Sequence, residues 1–204
     1  YGRRVLIVDF DPQGAATVGL GVNANTVENT IYTALFDISV DPHDVVQHTA
    51  FENIDVIPAN IDLSAAEVQL VTEVGREQIL NSVLRKLKSE YDLIIVDCQP
   101  SLGLLTVNAL AAADGVIIPV AAEFFDNGIA VLMCQLGNSS SDISQKTPRL
   151  SCFNTAQQTL LGDCNQICSR LSNLANHKHT GCISIITIVD SRNVYINNVT
   201  AAQH

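Results

Sequence analysis

Residues 91–120, YDLIIVDCQPSLGLLTVNALAAADGVIIPV, constrain the fold of this chain more than any other segment. Residues 93–96 form a short aliphatic run that ends on Asp97, and this run predicts a fully buried strand of a parallel sheet. Polar and helix-breaking residues separate it from a predicted helix over residues 104–113, and a second buried strand is predicted over 115–120. The segment therefore predicts a strand–helix–strand crossover, the connection that joins parallel strands.

Asp97 stands at the carboxyl end of the first of these strands, where parallel sheets present their ligands. An aspartate at such a position commonly holds Mg²⁺ beside a nucleotide phosphate. The same pattern also arises where an aspartate only caps the next helix. From this motif alone, both interpretations stay open.

A second acidic motif follows the first predicted strand, residues 4–8. It reads DFDPQG and carries Asp9 and Asp11, which are two residues apart and therefore face the same side of a pleated strand. Beside a phosphate and its metal, one carboxylate can hold the water shell of the ion and the other can orient an attacking water. A charged loop with a capping aspartate is the alternative. Glu123, after the strand over 115–120, either faces the same site or forms a loop salt bridge.

The intervening segments alternate between strand and helix signals. A strand is predicted over residues 54–57, and helices are predicted over 26–36 and over 76–91, where apolar residues form one stripe. Residues 64–67, SAAE, fit the capping box of a helix start. The order predicts an α/β fold with a mostly parallel sheet and helices on both faces. Acidic residues at three strand ends then converge on one edge, which favours nucleotide and metal chemistry.

Charge and cysteine content restrict the class of protein. The net charge of −10 divides into −12 over residues 1–137 and +2 over residues 138–204, so the first part offers no basic groove for nucleic acid. The six cysteines fit a reducing, cytoplasmic compartment better than a disulfide framework. The sequence opens with no apolar leader, and its longest weakly polar run is a poor membrane span.

Three segments resemble a known family, the ParA/Soj partition ATPases, particularly those of actinobacteria. They read VLIVDFDPQGAATVGLGV, DVIPANIDLSAAEVQLVTEVGREQIL and YDLIIVDCQPSLGLLTVNALAAADGVIIPVAAEFF, and the resemblance covers residues 2–136. This family belongs to the deviant Walker A group of P-loop NTPases. A motif DxDPQG followed at this distance by DCxPSLGLLTxNAL is too specific for a chance agreement.

The resemblance implies a role for each acidic residue. Asp11 would be the catalytic residue that positions or activates the hydrolytic water, and Asp97 would be the Walker B acid that binds Mg²⁺ through water. Asp9 would support the metal and phosphate region. The residues assigned to cofactor binding are Asp9, Gln13, Gly14 and Glu123, and those assigned to the metal are Asp97 and Asp9.

The resemblance also implies cofactors and partners. Members of this family use ATP and Mg²⁺, dimerise around two ATP molecules and bind DNA nonspecifically as dimers. A ParB-like centromere-binding protein stimulates them, and no membrane is involved. The expected function is ATP hydrolysis in the partitioning of DNA.

Two departures from the family limit this expectation. The family's KGGVGKTT loop lies upstream of the strand that begins near Arg3, and the sequence contains no Gly-Lys pair. Such a loop supplies the amides and the lysine that bind and neutralise phosphate. We therefore expect an amino-terminally truncated fragment that does not hydrolyse ATP by itself.

The second departure is the tail. We expect a partial nucleotide-binding domain over residues 1–137 and a divergent region over 138–204, where 28 of 67 residues are Ser, Thr, Asn or Gln. Only residues 182–189 predict a strand there. A disrupted reading frame is the favoured account, and a divergent or fused tail is the second. A zinc site is a weaker alternative, because its spacing matches no common finger; its ligands would be Cys164, Cys168, His177, His179 and Cys182.

Two other functions stay open. A non-catalytic binding module or pseudogene product would be consistent with the missing loop and the unusual tail. A MinD-like positioning ATPase would require a carboxy-terminal amphipathic helix rich in Lys and Arg, which the sequence does not show.

Overall fold

The computed structural model describes residues 2–99, 101 and 103–120, with side chains as far as Ile117, and the backbone of three further strands. The strands are β1 (Val5–Phe10), β2 (Gln47–His48), β3 (Ile54–Ile57), β4 (Leu93–Cys98), β5 (Gly115–Val120), β6 (Arg149–Asn154), β7 (Thr159–Asp163) and β8 (Ile185–Asp190). The helices are α1 (Ala15–Gly19), α2 (Ile31–Phe36), α3 (Ala66–Leu70), α4 (Ile79–Leu87) and α5 (Leu104–Ala112), with short 3-10 helices at Pro42–Val45, Ile61–Ala65 and Arg76–Gln78.

The described strands form one sheet in the order β2-β3-β1-β4-β8-β5-β6-β7. Strands β1, β3, β4, β5 and β6 run in one direction, while β2, β7 and β8 run against it. The predicted α/β fold with a mostly parallel sheet is therefore confirmed, as is the β4–α5–β5 crossover.

Strand β8 is the unexpected part of this sheet. The strand predicted over residues 182–189 is present as Ile185–Asp190, but it lies antiparallel between β4 and β5. It therefore fills the one-strand gap that the crossover leaves. Strands β6 and β7 also belong to the region beyond β5, and the sequence pattern did not predict them.

The two faces of the sheet differ in burial. Leu6, Val8 and Phe10 of β1 are fully buried and join one core with Leu84 of α4 and Leu105 of α5. The alternate residues of β1 and β4 are only partly buried where they are apolar. The prediction that residues 93–96 form a fully buried strand is therefore wrong for Leu93 and Ile95, which are only partly buried because their side chains point to the face opposite that of Ile94 and Val96.

Most helix predictions are confirmed, with shifted boundaries. The stripe of α4 buries Leu80, Val83, Leu84 and Leu87, as its spacing predicts. Helix α2 begins at Ile31 rather than near residue 26. No helix in the described part of the chain is long and apolar enough to cross a membrane.

The predicted capping box over residues 64–67 is not formed. Helix α3 continues directly from the 3-10 helix Ile61–Ala65, so its start has no side-chain cap. The cap lies earlier, where Asn60 accepts a hydrogen bond from the Asp62 amide at 3.1 Å. Ser64 donates instead to the Ile61 carbonyl at 2.6 Å. Glu67 contacts a different helix, α5.

Candidate functional site

Asp9 and Asp97 lie side by side at the carboxyl edge of the sheet. Strands β1 and β4 are parallel neighbours, and their register pairs Asp9 with Asp97 and Phe10 with Cys98. Residues paired across parallel strands have their side chains on the same face, with the strands about 4.8 Å apart. The sheet therefore brings the two predicted acids together, as the sequence indicated.

The carboxylate of Asp9 is fully buried and is already bound by the chain itself. Its Oδ2 accepts hydrogen bonds from the Thr17 amide at 2.7 Å and the Thr17 hydroxyl at 2.6 Å. Its Oδ1 accepts from the Asp11 amide at 3.3 Å. Burial raises the pKa of Asp9 above its ordinary value, and the bonds from Thr17 partly oppose that rise.

Thr17 also joins the β1 turn to the end of β3, since its hydroxyl accepts from the Ala59 amide at 3.0 Å. Gly14 makes this approach possible. Its φ of 65° lies in the left-handed region, and a Cβ there would stand 2.9 Å from the Ala59 carbonyl oxygen. Gly14 was among the predicted site residues, whereas Thr17 was not, because its only signal is a polar residue in a short, mostly apolar segment.

Asp11 and Gln13 form the turn that follows β1. Oδ1 of Asp11 accepts from the Gln13 amide at 2.9 Å, and the Asp11 carbonyl accepts from the Gly14 amide at 2.9 Å. Asp11 is half-buried and Gln13 is exposed. Oδ2 of Asp11 has no hydrogen-bond donor among the described residues, so this oxygen is available to a water or a ligand.

Asp97 differs from Asp9 in receiving no hydrogen bond from the residues that the structure describes. No described residue donates a hydrogen bond to its half-buried carboxylate, and the pKa of Asp97 is raised to about 6 by burial, then by the charges of Asp9 and Asp11. The three carboxylates therefore act on one another electrostatically. A divalent cation would relieve this repulsion, and oxygen donors are the ligands that Mg²⁺ prefers.

The donor set fits an ion that keeps most of its water. In the described part of the chain, no three His, Cys, Asp or Glu side chains converge closely enough to enclose a metal. Mg²⁺ usually binds through one or two carboxylates and retains several waters. Asp97 as the main contact, with Asp11 nearby, matches that mode of binding.

Glu67 contacts the residues that follow Asp97. Its Oε1 accepts from the Gln99 side-chain amide at 3.0 Å and from the Leu105 amide at 3.3 Å, and its Oε2 accepts from the Leu104 amide at 2.8 Å. Glu67 thus caps α5 from a helix that follows another strand. Glu67 was predicted instead to belong to the capping box at the start of α3, the helix in which it lies.

Other predicted residues lie outside the described residues. These are Glu123 and the five Cys and His residues considered for zinc.

Comparisons with known proteins agree with this arrangement. A family model described as an AAA domain matches residues 1–147. An uncharacterized protein of Mycobacterium tuberculosis is 56% identical over 133 residues, which cover 65% of this chain and 42% of that protein. The sporulation initiation inhibitor protein Soj of Bacillus subtilis is 52% identical over 124 residues, which cover 61% of this chain and 49% of Soj. The chain thus spans about half the length of the relatives it matches.

A solved structure is similar as well. Cobyrinic acid a,c-diamide synthase from Mycobacterium smegmatis, with a bound ATP analog and magnesium, superposes with a TM-score of 0.70 and 35% sequence identity. The match covers 75% of this chain and 62% of that one.

Fold and acidic edge together define an α/β protein of the P-loop NTPase type. Within that class, the chain belongs to the AAA-domain family that matches it, and it is of the ParA/Soj type.

Proposed function

We propose that this chain provides the magnesium-binding, acidic part of a ParA-type ATPase that acts in the partitioning of DNA. The observation that carries the proposal is the Asp97 carboxylate, which is half-buried, faces two other carboxylates and has no donor among the described residues. The similar synthase from M. smegmatis was solved with an ATP analog and magnesium, which supports both cofactors for this chain.

Each acidic residue has a separate role in this proposal. Asp97 would hold Mg²⁺ through its water shell, and Asp11, whose Oδ2 receives no hydrogen bond from the described residues, would orient the attacking water. Bound Mg²⁺ would supply charge neutralisation to the phosphates. Asp9 contributes charge rather than direct ligation, because Thr17 and the Asp11 amide already bind its oxygens.

The roles of the remaining predicted site residues are inferred from where they lie in the chain. Gly14 contributes the conformation of the turn, and Gln13 lies exposed beside it. Glu123 stays a candidate nucleotide contact.

For the whole protein we infer the behaviour of the partition ATPases. We propose ATP-dependent homodimerisation, nonspecific DNA binding and stimulation by a ParB-like partner in the cytoplasm. Relatives named as a chromosome partitioning protein and as Soj support this inference.

Metal titration of the purified chain tests the proposal. We expect Mg²⁺, followed by calorimetry, and Mn²⁺, followed by its spin-resonance signal, to bind at one site that Asp97→Asn weakens at least tenfold. Glu52→Gln is the control, because it removes a charge from an exposed side chain remote in sequence from the acidic edge. Equal binding by Asp97→Asn and the unchanged chain would refute the assignment.

A further inference from the structure

The carboxylate of Glu67 accepts hydrogen bonds from three donors that follow the end of β4. The donors are the Gln99 side chain and the amides of Leu104 and Leu105, at 3.0, 2.8 and 3.3 Å. Two of them are amides of the first turn of α5, which has no other side-chain cap. A carboxylate is favourable there because the amides have no partner within the helix and the helix dipole attracts negative charge.

The lack of a side chain at Gly103 leaves room for the carboxylate of Glu67. A Cβ at Gly103 would stand 2.2 Å from Glu67 Oε1 and 2.9 Å from Oε2. Its φ of −108° is available to any residue, so the backbone conformation does not require glycine. The nearest atoms to such a Cβ all belong to Glu67, so a side chain at position 103 would displace its carboxylate.

The contact joins α3 to the connection that follows β4, the strand that carries Asp97. Glu67 lies in α3, which follows β3. The residues that it binds follow β4, and the first of them, Gln99, lies two residues after Asp97. Thr106 fixes the same connection from the other side, since its hydroxyl donates to the Ser101 carbonyl at 2.5 Å. The described residues between β4 and α5 are therefore bound at both ends.

We infer that Glu67 is a positioning residue of the acidic site, which holds the connection after Asp97 in the form that accepts a hydrated metal ion. This inference rests on the proposed function. Pre-ordered groups around a metal lower the entropy that binding must remove, and loss of such outer contacts commonly weakens metal binding tenfold or more.

Two variants break the contact in different ways. Glu67→Gln keeps the size of the side chain but offers one acceptor oxygen to three donors, and its amide group opposes the Leu104 N–H. Gly103→Ala keeps the charge of Glu67 and displaces its carboxylate. Glu73→Gln is the matched control, because it removes a charge from an exposed side chain six residues further on.

The experiment measures Mg²⁺ affinity and amide hydrogen exchange on the full chain. We expect both variants to weaken Mg²⁺ binding about tenfold and to speed exchange at Leu104 and Leu105 about tenfold or more, while Glu73→Gln changes neither. The double variant should be no worse than the stronger single one, because both changes remove the same contact.

Four outcomes distinguish a failure of this inference from a failure of the proposed function. Faster exchange with unchanged Mg²⁺ affinity would make Glu67 a structural cap only and would overturn the inference. Unchanged exchange would show that the contact is not made. If the unchanged chain binds no Mg²⁺, the proposed function fails with the inference, whereas a loss confined to the two variants supports both.

Discussion

Thr17→Val tests whether the β1 turn is held by one hydroxyl. The substitution nearly preserves the shape of the side chain and removes the group that donates to Asp9 at 2.6 Å and accepts from Ala59 at 3.0 Å. Because Asp9, Thr17 and Ala59 are all 0% exposed, water cannot replace the lost partners without a change in structure.

The expected cost follows from these two bonds. A hydrogen bond to a charged acceptor contributes about 1.5–3 kcal/mol, and a buried amide left without a partner costs about 1–3 kcal/mol. The new methyl group offsets roughly 1 kcal/mol. We expect the free energy of unfolding to fall by about 3 kcal/mol, which for a chain of this size lowers the melting temperature by roughly 6–12 °C.

Urea unfolding at pH 7, followed by far-ultraviolet circular dichroism, measures this change. Thr17→Ser is the control, since it retains the hydroxyl and should lose only about 1 kcal/mol for the missing methyl group. A loss below about 1 kcal/mol for Thr17→Val, or equal losses for the two variants, would refute the argument that the hydroxyl holds the turn.

Three further predictions concern the same edge. Gly14→Ala should lower the free energy of unfolding by about 2 kcal/mol or more, and Gly21→Ala by about 1 kcal/mol. Both glycines have a positive φ, but only at Gly14 would a Cβ stand 2.9 Å from a carbonyl oxygen; equal losses in urea unfolding would contradict this. Since the pKa of folded Asp97 is about 6 against 3.8 ordinarily, the folded state binds more protons, and stability falls as pH rises from about 4 to 6. Asp97→Asn should therefore raise the free energy of unfolding at pH 7 by about 1–2 kcal/mol, after allowance for the partial exposure of the carboxylate. At pH 3.5 the variant and the unchanged chain should be equally stable; no gain at pH 7 would contradict this. Finally, a phosphate-release assay should detect no Mg-ATP hydrolysis by residues 1–204, because they contain no Gly-Lys pair to bind the phosphates; turnover that Asp11→Ala abolishes would prove this wrong.

Local patterns predicted the parts of the fold that depend on neighbours in sequence. The apolar spacing of α4 and the aliphatic runs of β3 and β4 each reflect burial of one segment against the core. The convergence of Asp9 and Asp97 was predictable for a further reason, because parallel strands align their carboxyl ends at one edge. Strands β1, β3, β4 and β5 and the pairing of Asp9 with Asp97 therefore followed from the residues alone.

The rest depended on contacts between distant segments. Glu67 satisfies the capping-box spacing, yet its partners are 32, 37 and 38 residues away, and no local pattern specifies which helix a carboxylate will cap. Thr17 reaches Ala59 across 42 residues. The insertion of β8 between β4 and β5 likewise depends on which strand fills a gap in the sheet, and hydrophobic periodicity carries no information on that choice.

Asp9 and Asp97 differ in how the fold compensates their charges at one edge of the sheet. Both are acids at paired positions of neighbouring strands, and burial raises the pKa of both. Asp9 receives three donors from the chain, so its charge is compensated within the fold. Asp97 receives none from the described residues, and its ionised form is disfavoured by burial and by two neighbouring charges. Replacement of Asp97 by a neutral residue should therefore stabilise the fold, whereas a bound cation, as we propose, would compensate the charge of Asp97.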